Sequence, residues 1–389
     1  MNATAPLAGV RVLELGSTVA GPAACRLLAD LGATVYKVEP PEGDQLRTWG
    51  TIAPDGTGWW FKSHNRNKRL LTFNLRDAKD AEIVRQIALR CDVVVENFRP
   101  GWLRAIGLGE SELRTEKPEL IYISISGYGQ TGVLSQRPGY GSIAEAMGGF
   151  RYITGEPSGP PMRIGISIAD EIAGLHCVIG ALAALYARRG DGRGESVDIS
   201  LVDSVLSLME GALPEYGQAG VIANRTGNLL ATSAPTNVYP TRDGEWFAIG
   251  ANGQSIFRRF AQLMGTPELA GDERFATNQA RIANVAVLDD IIAAWTKRRT
   301  SQELDDELGA AAIPGGPVLS IEGIVRHPHF LSRNSFVEIP DGEGNMVTTC
   351  APVPRLKEHP DAMRQAAGAI GRDQRESLQE LGIELEAIA

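Results

Sequence analysis

The sequence predicts a doubly wound α/β protein followed by a smaller unit. Short β-type runs alternate with helix-type segments through the first 130 residues. The segment between two of those runs, "DAKDAEIVRQIALRC" (77–91), carries apolar residues at helical spacing behind Asp77, a plausible cap. A second strand-and-helix pattern begins near residue 246.

Taken in order, "VRVLEL" (10–15) reads as a strand and "PAACRLLADLG" (22–32) as a helix ended by Gly32. Strands follow at "TVYKVE" (34–39), "LLTFNL" (70–75), "DVVVENF" (92–98) and "LIYISISGYG" (120–129). Strand, helix, strand in this rhythm implies parallel pairing through helical crossovers, a Rossmann-like sheet. A long apolar helix is expected at about 171–189. The polar turn "RRGDGRGESVDIS" then leads into a short strand, and 201–217 is helical. An extended loop fills 224–244 before the strand "WFAIGA" (246–251) and several helices to about 310. After the loop "IPGGPVLS" (313–320), the stretch 336–352 turns β-like, and an amphipathic helix closes the chain.

Composition excludes several functions. A net charge of -9 argues against a nucleic-acid binder, whose domain should carry a concentrated basic face. No stretch reads as the roughly 20 apolar residues that span a bilayer, and the N-terminus lacks a signal-peptide pattern, so a cytoplasmic protein without a membrane partner is expected. Cys25, Cys91, Cys177 and Cys350 sit among apolar neighbours and read as buried, reduced thiols. His327, His329 and His359 have no metal-ligand spacing, so no metal is expected.

The turn after the first strand, "GSTVAGPAACRLL", fails the dinucleotide pattern G-x-G-x-x-G, and Glu39 precedes a Pro-Pro turn, which disfavours NAD. Helix N-termini after parallel strands still favour phosphates. Two basic loops, "NRNKR" (65–69) with Arg66, Lys68 and Arg69, and "ENFRPGWLRAIGLG" (96–109) with Arg99 and Arg104, lie near strand ends. They suit a multiply phosphorylated ligand, or solvent alone. A serine hydrolase is set aside, because "GISIA" has Ala169 where the nucleophile elbow needs glycine. Asp170 opens the long helix behind the small residues Gly165, Ser167 and Ala169. As a cap it accepts backbone N–H bonds, and the same position favours the ionised form that a carboxylate nucleophile needs. Pattern alone leaves both roles open.

The chain resembles the class III (formyl-CoA transferase type) CoA-transferases over essentially its whole length. The motifs are "LAGVRVLELGSTVAGPAACRLLADLGATVYKVEPPEGD", "NRNKR", "VVVENFRPGWLRAIGL", "ISGYGQTG", "RPGYGSIAEAMGG", "GISIADEIAGLHCVIGALAAL", "GRGESVDISLVDSV", "IPGGPV" and "IGRDQRESLQELG". The resemblance implies that Asp170 attacks an acyl-CoA thioester, forming an aspartyl anhydride and then an aspartyl-CoA thioester from which the acceptor acid takes CoA. It places Thr18, Val19 and Ala20 near the pantetheine and thioester, Phe73 and Arg76 beside the adenine, and Asn97 and Phe98 at further CoA contacts. Arg104 stands one place from the family's usual basic residue (the aligned position is Ala105). Pro40 replaces an arginine that some members use for the phosphates, so Arg66, Lys68 and Arg69 are expected to bind them. Neutralising those three should then weaken CoA binding and spare the fold.

The acyl and acid side is expected at Arg137, Tyr140, Arg151 and Arg163, the last two offering a fork to a second carboxylate. The likeness is to members that use succinyl-CoA and short dicarboxylic acids. The formyl-CoA transferase's glycine-rich flap is not recognisable, which puts oxalate in doubt. An α-methylacyl-CoA racemase, which has histidine where Tyr140 stands, and a non-catalytic CoA-binding protein are the competing readings. No tightly bound cofactor is implied. The family's fold implies a large Rossmann-like domain over 1–200, completed by 330–389, a linker at 201–230, and a small α/β domain over 231–320. Residues 321–389 then supply the return linker and the C-terminal part of the large domain. The resemblance also implies that two such ring-shaped chains form an interlocked homodimer.

Overall fold

A computed structural model describes residues 5–359 and 363–384. It divides into two compact units, one of Met1–Phe150, Arg163–Val221 and Ser332–Ala389, the other of Arg151–Met162 and Ile222–Leu331. The expected linker at 201–230 therefore falls mostly in the first unit, as the helices Leu201–Leu206 and Ala212–Ala219. The excursion 151–162 joins the second unit, which no sequence boundary announced. Residues 385–389 of the expected large domain lie outside the described residues.

The first unit is built on six parallel strands, β1 (Arg11–Leu15), β2 (Thr34–Glu39), β3 (Lys68–Thr72), β4 (Val93–Glu96), β5 (Ile121–Ser126) and β6 (Ser196–Ser200), in the order β3-β2-β1-β4-β5-β6. Chain direction across the sheet reverses between β1 and β4, the switch point at which such sheets leave a crevice beyond the strand ends. Strand alternation feeds both faces. Val12, Val35, Val93, Val95, Ile121 and Ile123 pack with the helices Ala20–Asp30 and Ile168–Asp191, while Leu13, Tyr36, Val94 and Tyr122 pack with the helix Ala78–Leu89 and the C-terminal Leu378 and Leu381. The Asp77 carboxylate does cap Ala78–Leu89, accepting from the N–H groups of Lys79 and Asp80. At the sheet's edge, the C-terminal segment closes β3: Leu70 and Thr72 donate their N–H groups to Asp373 Oδ2 and Gln374 Oε1, at 2.8 and 2.9 Å.

The helix Ile168–Asp191 corrects one sequence expectation, since its 24 residues are long and apolar enough, by length and composition, to cross a membrane. The charged pairs at its ends had disguised the uncharged run from Ile172 to Ala187. Here Ala169, Ala173, Cys177 and Ala181 are buried in the core, and at Gly174 an added Cβ would lie 3.1 Å from the Ala23 side chain. Small residues thus let two helices approach closely.

In the second unit, β7 (Thr236–Pro240), β8 (Trp246–Gly250) and β9 (Gly315–Pro317) form an antiparallel sheet. Two of these strands lie in stretches expected to be loops, because tertiary pairing overrides the Pro and Gly content of "APTNVYP" and "IPGGPV". An aromatic core of Tyr239, Phe247, Phe257, Phe260 and Phe275 packs beneath it. The strands β10 (Phe336–Pro340) and β11 (Met346–Cys350) form a hairpin in the first unit. Cys350 ends on its outward side and is exposed, unlike the other three thiols.

Candidate active site

A cavity of about 870 Å³ opens in the first unit beyond the ends of β1 and β4. Its floor is the turn Gly16–Ala20, and four side chains fix that turn. The Asn97 amide accepts from the Ser17 N–H and donates to the Ser17 carbonyl, both at 2.9 Å, clamping the ends of β1 and β4 together. Thr18 has φ +68°, a left-handed conformation costly for a non-glycine residue unless its surroundings impose it. Asp44 supplies that constraint, accepting the Thr18 N–H at 3.1 Å. Lys37, fully buried, bridges Asp44, Glu14 and the Gly16 carbonyl, each at 2.9 Å. Burial works against its ammonium charge, but Glu14 and Asp44 outweigh that and hold it protonated. The ring of His64 meets the Val19 carbonyl at 3.1 Å.

Asp170 faces the same cavity, but not as the cap. The helix starts at Ile168 behind Ser167, so Asp170 is its third residue, in the first turn. Nor is its ionised form favoured: burial, then the neighbouring Glu171 and Glu145 carboxylates, push its pKa up to about 6, against a hydrogen bond from its own N–H and the charge of Arg163. Its carboxylate lies against the start of the helix Gly141–Met147. A Cβ built on Gly141 would sit 2.0 Å from Asp170 Oδ2, so only glycine leaves room for it.

The cavity brings together Thr18, Val19, Ala20, Phe73, Arg76, Asn97, Phe98, Tyr140, Arg163 and Asp170. Phe98 stacks on Trp102 with ring centroids 4.6 Å apart. The Arg163 guanidinium donates to the Ile164 and Ile166 carbonyls and comes within 4.0 Å of Glu145 Oε1. The other expected residues are elsewhere. Arg66 is buried in a two-bond pair with Asp30, at 2.9 and 2.5 Å, and Lys68 lies 2.7 Å from Glu14 and donates to the Pro22 carbonyl. Arg69 pairs with Glu376 at 3.2 Å. The expected phosphate cluster is thus corrected: Arg66 and Lys68 are held in buried ion pairs, Arg69 in a solvent-exposed one, and none of the three lines the cavity. Arg104 is exposed and turned to Ser111 and Glu112, Arg137 is exposed outside the cavity, and Arg151 belongs to the second unit. The bases that do line the cavity are Lys37, Arg76 and Arg163. Lys37, Asp44, Gly141 and Glu145 escaped sequence reasoning. The first two lie inside the quoted motif "TVYKVEPPEGD", which was read only as a strand and a turn.

This geometry meets a clear match. The chain matches CoA-transferase family III over residues 7–374. It belongs to that family. It is 46% identical to a succinyl-CoA–D-citramalate CoA-transferase of Chloroflexus aurantiacus, covering 97% of this chain and 94% of that one. It is 35% identical to a succinate–glutarate CoA-transferase of Agrobacterium fabrum over 98% and 96%. A CAIB/BAIF family protein from Brucella suis has a similar structure, with a TM-score of 0.87 at 34% identity, covering 97% of this family III chain and 100% of the other.

Proposed function

We propose that this family III transferase moves CoA from succinyl-CoA to a short dicarboxylic acid through a covalent bond to Asp170. The observation that carries this is Asp170 set in the cavity against Gly141, with Arg163 in the same cavity. An Asp170 oxygen attacks the thioester carbonyl carbon, a C–O bond forms, and the C–S electron pair leaves with CoA as thiolate. The thiolate then attacks Asp170 Cγ, a C–S bond forms, and the donor acid leaves as carboxylate. The acceptor carboxylate and the same thiolate reverse these two steps. Thioester is exchanged for thioester, no proton need move, and one difficult substitution becomes several easier ones. The Thr18–Ala20 turn, Phe73, Arg76, Asn97 and Phe98 are our candidates to hold CoA. Arg163 is the candidate for the far carboxylate of the acid, because a guanidinium matches a carboxylate bidentately. Glutarate, malate and citramalate are the acids that the relatives' names suggest.

Free acids assayed against succinyl-CoA and acetyl-CoA test this. Short dicarboxylates should be accepted and monocarboxylates of equal length should not. Arg163→Gln should raise the KM of the dicarboxylate about 10–100-fold, the worth of a lost hydrogen bond to a charged group. Equal turnover of mono- and dicarboxylates would remove the proposed fork. A racemase is disfavoured, because the described lining residues include no histidine and His176 instead meets Ser204 Oγ at 3.1 Å. We also propose, from the family resemblance, that two chains form an interlocked homodimer. Light scattering should give twice the chain mass unchanged on dilution, and a monomer appearing at low concentration would refute it.

A further inference from the structure

The stretch 16–22, which leads from β1 into the helix Ala20–Asp30, is held by side chains from several other parts of the chain. Lys37 donates to the Gly16 carbonyl, Asn97 holds the N–H and carbonyl of Ser17, and Asp44 accepts the Thr18 N–H. His64 meets the Val19 carbonyl, and Lys68 donates to the Pro22 carbonyl. At the centre of this grip is the strained residue. Thr18 is β-branched, yet it sits at φ +68°, where such a side chain is an outlier. Strain of this kind persists only where the surroundings over-determine it.

The Asp44 carboxylate is what fixes it. Its two oxygens lie 3.1 and 3.2 Å from the Thr18 nitrogen, and they also take the Leu46 N–H and the Lys37 ammonium, each at 2.9 Å. The anchor is itself rigid. Asp44 is 3% exposed, and its own N–H is held by Glu39 Oε2 at 3.0 Å. Arg47 binds both oxygens of that Glu39 and donates to the Gly368 carbonyl of the C-terminal segment. Thr18 is thus pinned to the body of the first unit and cannot carry its anchor along if it relaxes.

We propose that Asp44 is a positioning residue that acts through Thr18: its bond to the Thr18 N–H locks that residue left-handed, and this aims the turn so that a bound thioester meets Asp170. The inference rests on the reading above, in which the turn holds CoA and Asp170 attacks. Thr18, Val19, Ala20 and Asp170 line the same cavity. A Thr18 relaxed to negative φ turns the peptide planes on either side of it and shifts whatever rests on them. A misplacement of about 1 Å slows bond formation on the order of 100-fold. Binding suffers less, because Phe73, Arg76 and Phe98 still face the ligand. The effect therefore falls on kcat rather than on KM. Lys37 keeps Glu14 and the Gly16 carbonyl when Asp44 is lost, so its buried charge is not stranded.

The test is succinyl-CoA kinetics on the folded fraction of each variant. Asp44→Ala should lower kcat about 30-fold or more and leave the KM for succinyl-CoA within about threefold. Asp44→Asn should keep kcat within about fivefold, because an amide oxygen at either carboxylate position still reaches the Thr18 N–H. Against Thr18→Gly as its own reference, adding Asp44→Ala should cost less than about threefold, since glycine takes positive φ without an anchor. Thr18→Pro, which forbids positive φ and leaves Asp44 its bonds to Lys37 and Leu46, should match the loss of Asp44→Ala. An unchanged kcat in folded Asp44→Ala overturns the proposal, and so does a loss just as large in the Thr18→Gly background. Asp44→Asn as impaired as Asp44→Ala also overturns it. Where Asp44→Ala yields no folded protein, Thr18→Pro decides, and a kcat equal to that of Thr18→Gly refutes the proposal. Absence of any adduct on Asp170 in the wild type, sought by intact mass without acceptor acid, would instead overturn the covalent mechanism, so the two failures are told apart.

Discussion

Asp170→Asn will abolish CoA transfer and, at pH 8, make the protein more stable. The loss of activity follows from removal of the bond-forming oxygen, and a fall on the order of 10⁴-fold or more is expected. The gain in stability follows from the raised titration of the folded carboxyl, about 6 against an ordinary 3.8. A carboxyl raised in the folded state binds its proton there more tightly than in the unfolded chain. Between pH 4 and 6 the unfolded chain therefore holds fewer protons, and stability falls as pH rises. Above pH 6 the full cost, at most about 3 kcal/mol, is present. Asparagine has the same shape and no charge, so it escapes that cost. Thermal melts should show the variant above the wild type at pH 8 and level with it at pH 4. Because Asp170 is not the helix cap, no cap energy is lost to obscure the comparison. Substantial transfer by the variant would remove Asp170 from the reaction, and a lower melting point at pH 8 would contradict the electrostatic account.

Arg66→Met will cost about 3–5 kcal/mol of stability and leave the KM for acyl-CoA within twofold of wild type, measured on the folded fraction. The substitution strands the Asp30 carboxylate, which is 5% exposed and, among the described residues, keeps a 3.3 Å bond from Asn67 alone. Removing one partner of a buried pair is destabilising because the other charge has lost its solvent and its counter-ion. Urea unfolding of the variant measures the first effect, and donor kinetics the second. A stable variant with a strongly raised KM would return the cluster to phosphate binding.

That cluster shows what the sequence concealed. "NRNKR" looks like a solvated loop because its acidic partners, Asp30 and Glu14, lie 36 and 54 residues upstream of Arg66 and Lys68. Charges of opposite sign that meet only in the folded sheet leave no local signature. Strands β1, β2, β4 and β5, by contrast, were legible to within three residues at their ends, since burial on both faces demands continuous apolar runs. The Thr18–Ala20 turn and Asn97 were legible through motif resemblance. Lys37 and Asp44, which hold that turn, were not, because a buried lysine in a strand looks like ordinary alternation. Asp170 stood out in the sequence as a candidate and the structure places it in the cavity, but its titration was misjudged in direction. First-turn position argues for ionisation, and only the structure shows burial, followed by Glu171 and Glu145, arguing harder against it.

The closure of β3 by Asp373 and Gln374 sets a timetable for biosynthesis. About 300 residues separate Thr72 from those partners. At roughly 5–20 residues per second, the ribosome makes them about 15–60 s after β3. Throughout that interval the N–H groups of Leu70 and Thr72 lack their native acceptors, and a bare parallel edge invites pairing with another nascent chain. The second unit's strands and aromatic core come from residues 236–317, all of which are made before Asp373. The last-made tail thus protects an edge laid down near the beginning, so chains stalled or cleaved before residue 373 carry the aggregation hazard even when nearly all of their sequence is present.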